Sequence, residues 1–412
     1  MSAFDPSSPA PKDFNPLLPR FSKRTAWDTS ESAWAGALRE RRETGLKILD
    51  LTASNPTRCG FVYGQQEVLG ALRNPAALHY DPSPRGILPA REAVCRYYAE
   101  HGVVLDPEHV LLATGTSEAY SFLFRLLCDP GDEVLIARPS YPLFDFLADL
   151  NDLRLVPYPL FYDYGWHLDA EALRQRITPR TRAIVVVHPN NPTGHFTRPA
   201  ERLQLESICA EHGLCLIVDE VFLDYPIEWE AGPPASFASG DHPVLTFVLS
   251  GLSKVAGLPQ MKAAWIALFG TPDLVQAAGQ RLEVIADTFL SMNTAVQYAV
   301  PDWLAGRTAI QRQIHSRVTG NLGELDRLVA RHPSSSRLRV DAGWSAALRI
   351  PAVQQDAETA LTLLARHGVA VHSGDLYSFD SQGWLVLSLL TPSAEFLEGL
   401  MAISRYLKEI TP

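Results

Sequence analysis

No apolar run in the 412-residue sequence approaches the roughly 20 residues that a membrane-crossing helix needs, so no membrane span is expected. An excess of positive charge is also missing. The formal net charge is -10 and the pI near 5.7, which argues against nucleic acid as the main partner, since phosphate binding leaves a basic footprint. Cysteine is scarce and unpatterned. Cys59, Cys95, Cys128, Cys209 and Cys215 fall in expected helices or loops without the paired short spacing of a metal site, so no metal is expected, and reduced core thiols of a cytoplasmic protein are. The first twenty residues lack the basic start and apolar centre of a secretory signal; their prolines suggest an extended arm, disordered or packed on a neighbouring subunit. There is no internal repeat and no Gly/Pro-rich linker, so the domains must interleave.

A hydrophobic content of 46% with 20% charged residues is that of a globular protein, and the length suggests two or three domains. From about residue 109, short Val/Ile/Leu-rich runs alternate with helical segments, as in an α/β domain whose mostly parallel sheet is buried on both faces. The chain reads as helical from Pro272 to about residue 331. Beyond that, strand-like 336–351, helix-like 356–368, strand-like 383–390 and a last helix over 393–410 suggest a smaller α+β domain that also takes in the first fifty or so residues. The expected division is 1–54 for the arm and part of the small domain, 55–300 for the large domain and 301–412 for the remainder of the small one.

In such sheets ligands sit beyond the carboxyl ends of the strands, and the loops expected there hold the unusual residues. Asn190-Asn191-Pro192-Thr193-Gly194 ends an apolar strand. It reads either as a sharp turn, with Pro192 disfavouring helix at Asn191 and Gly194 allowing a positive φ, or as a rigid mount for the Asn191 side chain. Asp219 and Glu220 leave the next strand as a helix cap, a surface pair, or a carboxylate facing a buried cation. Lys254 follows a third strand, 245–249. At such a tip a lysine is partly desolvated, its pKa falls, and its amine can attack a carbonyl to form a Schiff base. Gly115, Thr116 and Ser117 open a helix, a place for an uncharged cap or for an anion that Ser253 and Lys262 could help enclose. Tyr141, between two prolines, is a rigid aromatic able to lie against a flat ring.

A flat ring, an aldehyde captured by lysine, a ring cation facing aspartate, a ring hydroxyl facing asparagine and a phosphate together describe pyridoxal 5'-phosphate. On Asn191-Pro192-Thr193-Gly194, Asp219 and Ser253-Lys254, in order and approximate spacing, the chain resembles the class I/II aminotransferases, fold-type I pyridoxal-phosphate enzymes, over nearly its whole length. The resemblance implies a large domain with a mostly parallel, mixed seven-stranded sheet plus a smaller α+β domain. It also implies transfer of an amino group between an amino acid and a 2-oxo acid by a ping-pong mechanism through pyridoxamine. Lys254 then carries the cofactor and moves the proton, Asp219 keeps the pyridine nitrogen protonated, Asn191 bonds the ring oxygen and Tyr141 stacks on the ring. Gly115, Thr116, Ser117, Ser253 and Lys262 hold the phosphate, joined by Tyr80 from a partner subunit, which implies a homodimer.

Three positions depart from that family. Lys262 stands where many relatives have arginine, keeping the charge but losing the bidentate fork. Phe222 stands where a tyrosine often bonds the ring oxygen. Val386 stands where most members have the arginine that pairs with the substrate's α-carboxylate, which leaves Arg85 and Arg58 as candidate substitutes, with Asn55 as a further candidate substrate contact. Phe61, Phe144 and Trp344 fit an apolar or aromatic donor as well as they fit a core, and no cation for an acidic substrate is identifiable. The same constellation serves a β-lyase or a decarboxylase. A non-catalytic regulator needs a DNA-binding module, and the N-terminus offers no helix-turn-helix.

Overall fold

The computed structural model describes residues 21–411 apart from 81, 231 and 233, so the arm expected over the first twenty residues lies outside the described residues. The apolar runs become eight strands: β1 (Val110–Ala113), β2 (Glu133–Arg138), β3 (Arg154–Tyr162), β4 (Trp166–Leu168), β5 (Thr181–Val187), β6 (Cys215–Asp219), β7 (Thr246–Gly251) and β8 (Ala264–Phe269). They form one sheet in the order β1-β8-β7-β6-β5-β2-β3-β4. β8 is antiparallel to both its neighbours, β4 is antiparallel to β3, and the other pairings are parallel. Alternation explains why these runs lack polar residues. Ile184 and Val186 of β5 enter one core while Ala183, Val185 and Val187 enter another, so both faces are buried.

The sheet has eight strands rather than the implied seven. After β3 the chain turns back at once, with Asp163 N–H donating to Gly165 O at 2.8 Å, and Trp166 and Leu168 bury themselves as the short edge strand β4. Cys215, expected in a helix or loop, opens β6. All five cysteines are unpaired.

The helices α1 (Thr116–Leu127), α2 (Pro199–His212), α3 (Leu252–Val255) and α4 (Pro272–Phe289) pack around this sheet. The long helical stretch ends α4 at Leu290, in the left-handed conformation, and continues as α5 (Thr294–Gly306) and α6 (Thr308–Arg331).

A second sheet follows, with β9 (Ser336–Arg337), β10 (Ser345–Arg349), β11 (His372–Ser373) and β12 (Trp384–Ser388) antiparallel in the order β9-β10-β12-β11. α6 and the last helix, α7 (Ser393–Ile410), close one face of it. Ile314, Val318, Leu322 and Leu325 on α6, and Phe396, Leu400, Ile403 and Leu407 on α7, recur at helical spacing and meet Leu385 and Leu387. Burying each such side chain contributes about 1.5–3 kcal/mol. Leu49–Asp50 pairs in parallel with Val369–Ala370, joining early chain to this unit. The turn before that pair needs Gly368, whose φ is +72° and where a Cβ would stand 3.0 Å from Lys47 O. Among the described residues no helix is long and apolar enough to cross a membrane, and no cluster suited to a metal ion is found.

Candidate active site

The parallel strands β1, β2, β5, β6 and β7 deliver their carboxyl ends to one side, where the second sheet leans over them. A cavity of about 510 Å³ lies between. Thr116, Ser117, Tyr141, Asn191, Asp219, Ser253 and Lys254, at or just beyond the carboxyl ends of these five strands, all line it.

Asp219 is the last residue of β6 and is 7% exposed. Its Oδ1 accepts from Val221 N–H at 3.1 Å and its Oδ2 from the Tyr120 hydroxyl at 3.2 Å. Burial pushes this carboxyl up to about 6 against the pull of those donors and of Lys254. Glu220, the neighbouring acid, turns away from the cavity to accept from Ser236 and Phe237 N–H, and burial pushes it up to about 7.

Lys254 sits in α3, directly after β7. Burial lowers its amine below the ordinary lysine value, with Asp219 opposing. Its Nζ lies 5.1 Å from the Trp344 ring centroid and 5.7 Å from that of Phe222, and among the described residues no hydrogen bond to it is formed. A lysine amine set against two packed rings and sharing a cavity with a carboxylate is a nucleophile and base held ready.

The loop carrying Asn191 is fixed by Gly194, whose φ is +71° and where a Cβ would stand 2.6 Å from Ala342 O. Gly194 O in turn accepts from Ala342 N–H at 3.0 Å, so this loop is pinned to the smaller unit. At the N-terminus of α1, a Cβ on Gly115 would lie 3.6 Å from Lys262 Nζ. The Lys262 amine therefore stands beside the helix end where Thr116 and Ser117 open into the cavity, an arrangement suited to an anion. Lys262 itself has φ +54°, a left-handed conformation that an L side chain rarely adopts.

Other candidates sit elsewhere. Tyr80 is 75% exposed and lines a separate shallow cleft with Leu290, Ser291 and Met292. Arg85 pairs with Glu283 at 2.9 Å and also donates to Glu108 O, outside the cavity. Asn55 caps the short turn Pro56–Arg58 by accepting from Thr57 N–H, and both Asn55 and Arg58 are exposed away from the cavity. Phe144 and Trp344 line it; Phe61 instead packs under Arg317 beside the second core.

The cavity also holds residues that sequence reasoning missed. Tyr120 lies one helical turn beyond Thr116, and that spacing was the available signal. Ser345, His372, Tyr377 and Ser388 come from the smaller unit, beside Val386, and carried no local signal.

The sequence model of the family described as aminotransferase class I and II matches residues 74–403. A glutamate–pyruvate aminotransferase of Escherichia coli (strain K12) is 30% identical over 274 residues, 66% of this chain and 67% of its own length. An alanine aminotransferase of Mycobacterium tuberculosis (strain H37Rv) is 32% identical over 65% of this chain and 62% of its own. The crystal structure of an aminotransferase from Escherichia coli superposes with a TM-score of 0.85 at 24% identity, covering 95% of this chain and 98% of the other.

Proposed function

The chain belongs to the class I and II aminotransferases, and from that premise we propose that the cavity at the strand ends is its catalytic site, with Lys254 as the group that moves the proton. It is a pyridoxal 5'-phosphate-dependent enzyme that passes an amino group between an amino acid and a 2-oxo acid. When bound, the cofactor supplies an aldehyde that captures the amine and a ring that takes up the electron pair left when the α-carbon loses its proton.

The residues present fit this group. The carrying observation is the half-buried amine of Lys254, without a hydrogen-bond partner among the described residues and lining one cavity with the Asp219 carboxylate. Asp219, steadied by Tyr120, would hold the ring nitrogen as an anion, and that pairing would offset the cost of its burial. Asn191 would donate to the ring oxygen, and Tyr141 would support the ring. The Gly115 amide, Thr116, Ser117, Ser253 and Lys262 would receive the phosphate at the positive end of α1. Lys254, set against the packed Trp344 and Phe222 rings, carries the proton away from the α-carbon and returns it on the far side of the transfer. Borohydride reduction of the holoenzyme and peptide mapping are expected to leave the cofactor label on Lys254; a label on another lysine contradicts this assignment.

Phe222 packs edge-on against Trp344 with ring centroids 5.2 Å apart and offers no donor to the ring oxygen. Tyr225 does not replace it, because its hydroxyl donates to Lys254 O at 2.7 Å. Phe222→Tyr is therefore expected to lower the pH at which the bound cofactor's visible absorption changes, by on the order of one unit. A titration curve that does not move would contradict this.

The active unit in this reading is a homodimer of the cytoplasm. Its support is the exposure of Tyr80 and of apolar side chains next to it in the chain or in its cleft, Leu78 and Leu290. In that arrangement Tyr80 donates to the phosphate bound by the second subunit. Tyr80→Phe is expected to raise the cofactor's dissociation constant about tenfold by equilibrium titration. Fully active monomers in a sedimentation experiment would exclude the arrangement.

A further inference from the structure

An amino acid and its 2-oxo acid share a carboxylate beside the reacting carbon, and burying that anion without donors is costly. Among the described residues lining the cavity, the basic side chains are Lys254 and His372, and none is arginine. Lys254 is committed to the proton. The hydroxyls nearby are largely spent, since Ser388 donates to Ala53 O, Thr52 to Asp50, and Tyr120 to Asp219.

His372 is placed differently. It stands opposite Val386 in the β11–β12 pairing, so the two side chains share a face of the second sheet, and both line the cavity. Its Nδ1 meets the buried Tyr377 hydroxyl at 3.0 Å. That nitrogen is the one acceptor recorded for the hydroxyl among the described residues, so Tyr377 donates and the ring proton is kept on Nε2. Among the described residues Nε2 has no hydrogen-bond partner, and it carries a hydrogen whether the ring is neutral or charged. Ser345, opposite Ser388 across β10 and β12, lines the same cavity and adds a hydroxyl with no hydrogen-bond partner among the described residues.

Resting on the aminotransferase reading, we infer that His372 is the substrate-carboxylate anchor, donating through Nε2–H with Ser345 beside it, in a cavity with no arginine among its described lining residues. Burial lowers the proton affinity of the ring, against a pull from Asp50. A carboxylate arriving at Nε2 restores that affinity, so the bound state favours the imidazolium.

The test compares each amino acid with the amine left when its carboxylate is removed. The holoenzyme is mixed with each of the common L-amino acids, and the fastest is set against its decarboxylated amine by the rate of loss of the visible cofactor band. Wild type is expected to prefer the amino acid by about 100-fold or more. His372→Phe should lower kcat/KM for the amino acid by about 30-fold, chiefly through KM, and leave the amine unchanged, so that the preference collapses. His372→Gln, which keeps an N–H, should retain most of the preference. The cofactor spectrum of each variant reports an intact site. Variants that slow acid and amine alike, or neither, overturn the assignment while the transaminase reading stands. A wild type that no amino acid discharges removes that reading, and the anchor with it.

Discussion

Replacement of Lys254 by alanine is expected to reduce transamination by at least about 10⁴-fold, the combined loss of a nucleophile and a proton carrier. The fold should survive, because the lysine's own carbonyl still accepts from Tyr225 and α3 remains anchored by Leu252 N–H to Ala263 O at 2.9 Å. Single-turnover conversion of the amino donor is the measurement. Partial rescue by an added small primary amine is expected, since the space left by the side chain opens on the cavity beside the Trp344 and Phe222 rings. Residual activity within about 100-fold of wild type would mean that another group carries the proton.

Asp219→Asn is the second large effect. Removing the anion from the ring nitrogen should lower kcat by about 10³-fold, the scale of losing one preorganised charge contact in a dry site. The same change bears on stability with a definite sign. In the cofactor-free protein the carboxyl is raised from 3.8 to about 6, so the folded state holds a proton that the unfolded state has released. This group's contribution is therefore present at low pH and falls away as pH rises between those two values, by about 3 kcal/mol. The asparagine variant without cofactor should not show that fall. Thermal unfolding of the two cofactor-free proteins across that range checks it, and parallel pH curves would contradict the burial of Asp219.

Much of the large-domain side of the cavity was legible because each polar residue there interrupts or ends an apolar run. Asp219 closes β6, Lys254 follows β7, and Asn191 follows β5 just before Pro192 and Gly194, two residues that mark a turn in the sequence. What could not be read depends on pairings between distant segments. His372 belongs to a strand of two residues, and only its register with β12 sets it beside Val386. Arg85 looks available in the sequence, yet Glu283, 198 residues away, occupies it. Asn55 looks like a ligand contact and instead satisfies the N–H of Thr57 two residues on. The eighth strand escaped notice because three residues, Trp166–Leu168, are too few to display an alternation. Departures such as Phe222 and Val386 are plain as residue identities, but their consequence rests on which neighbours, Trp344 and His372, share their space.

The most direct test of the central claim is the stoichiometry of a half-reaction. Holoenzyme is mixed with a panel of L-amino acids, the visible cofactor band is followed, and the products of the active donor are counted before and after a 2-oxo acid is added. The account predicts loss of the band with one equivalent of 2-oxo acid released per site, no carbon dioxide and no free ammonia, and full return of the band as the added 2-oxo acid becomes an amino acid. Continuous release of carbon dioxide, or of ammonia with side-chain loss, and with no second substrate present, would contradict it and assign the site to decarboxylation or β-elimination.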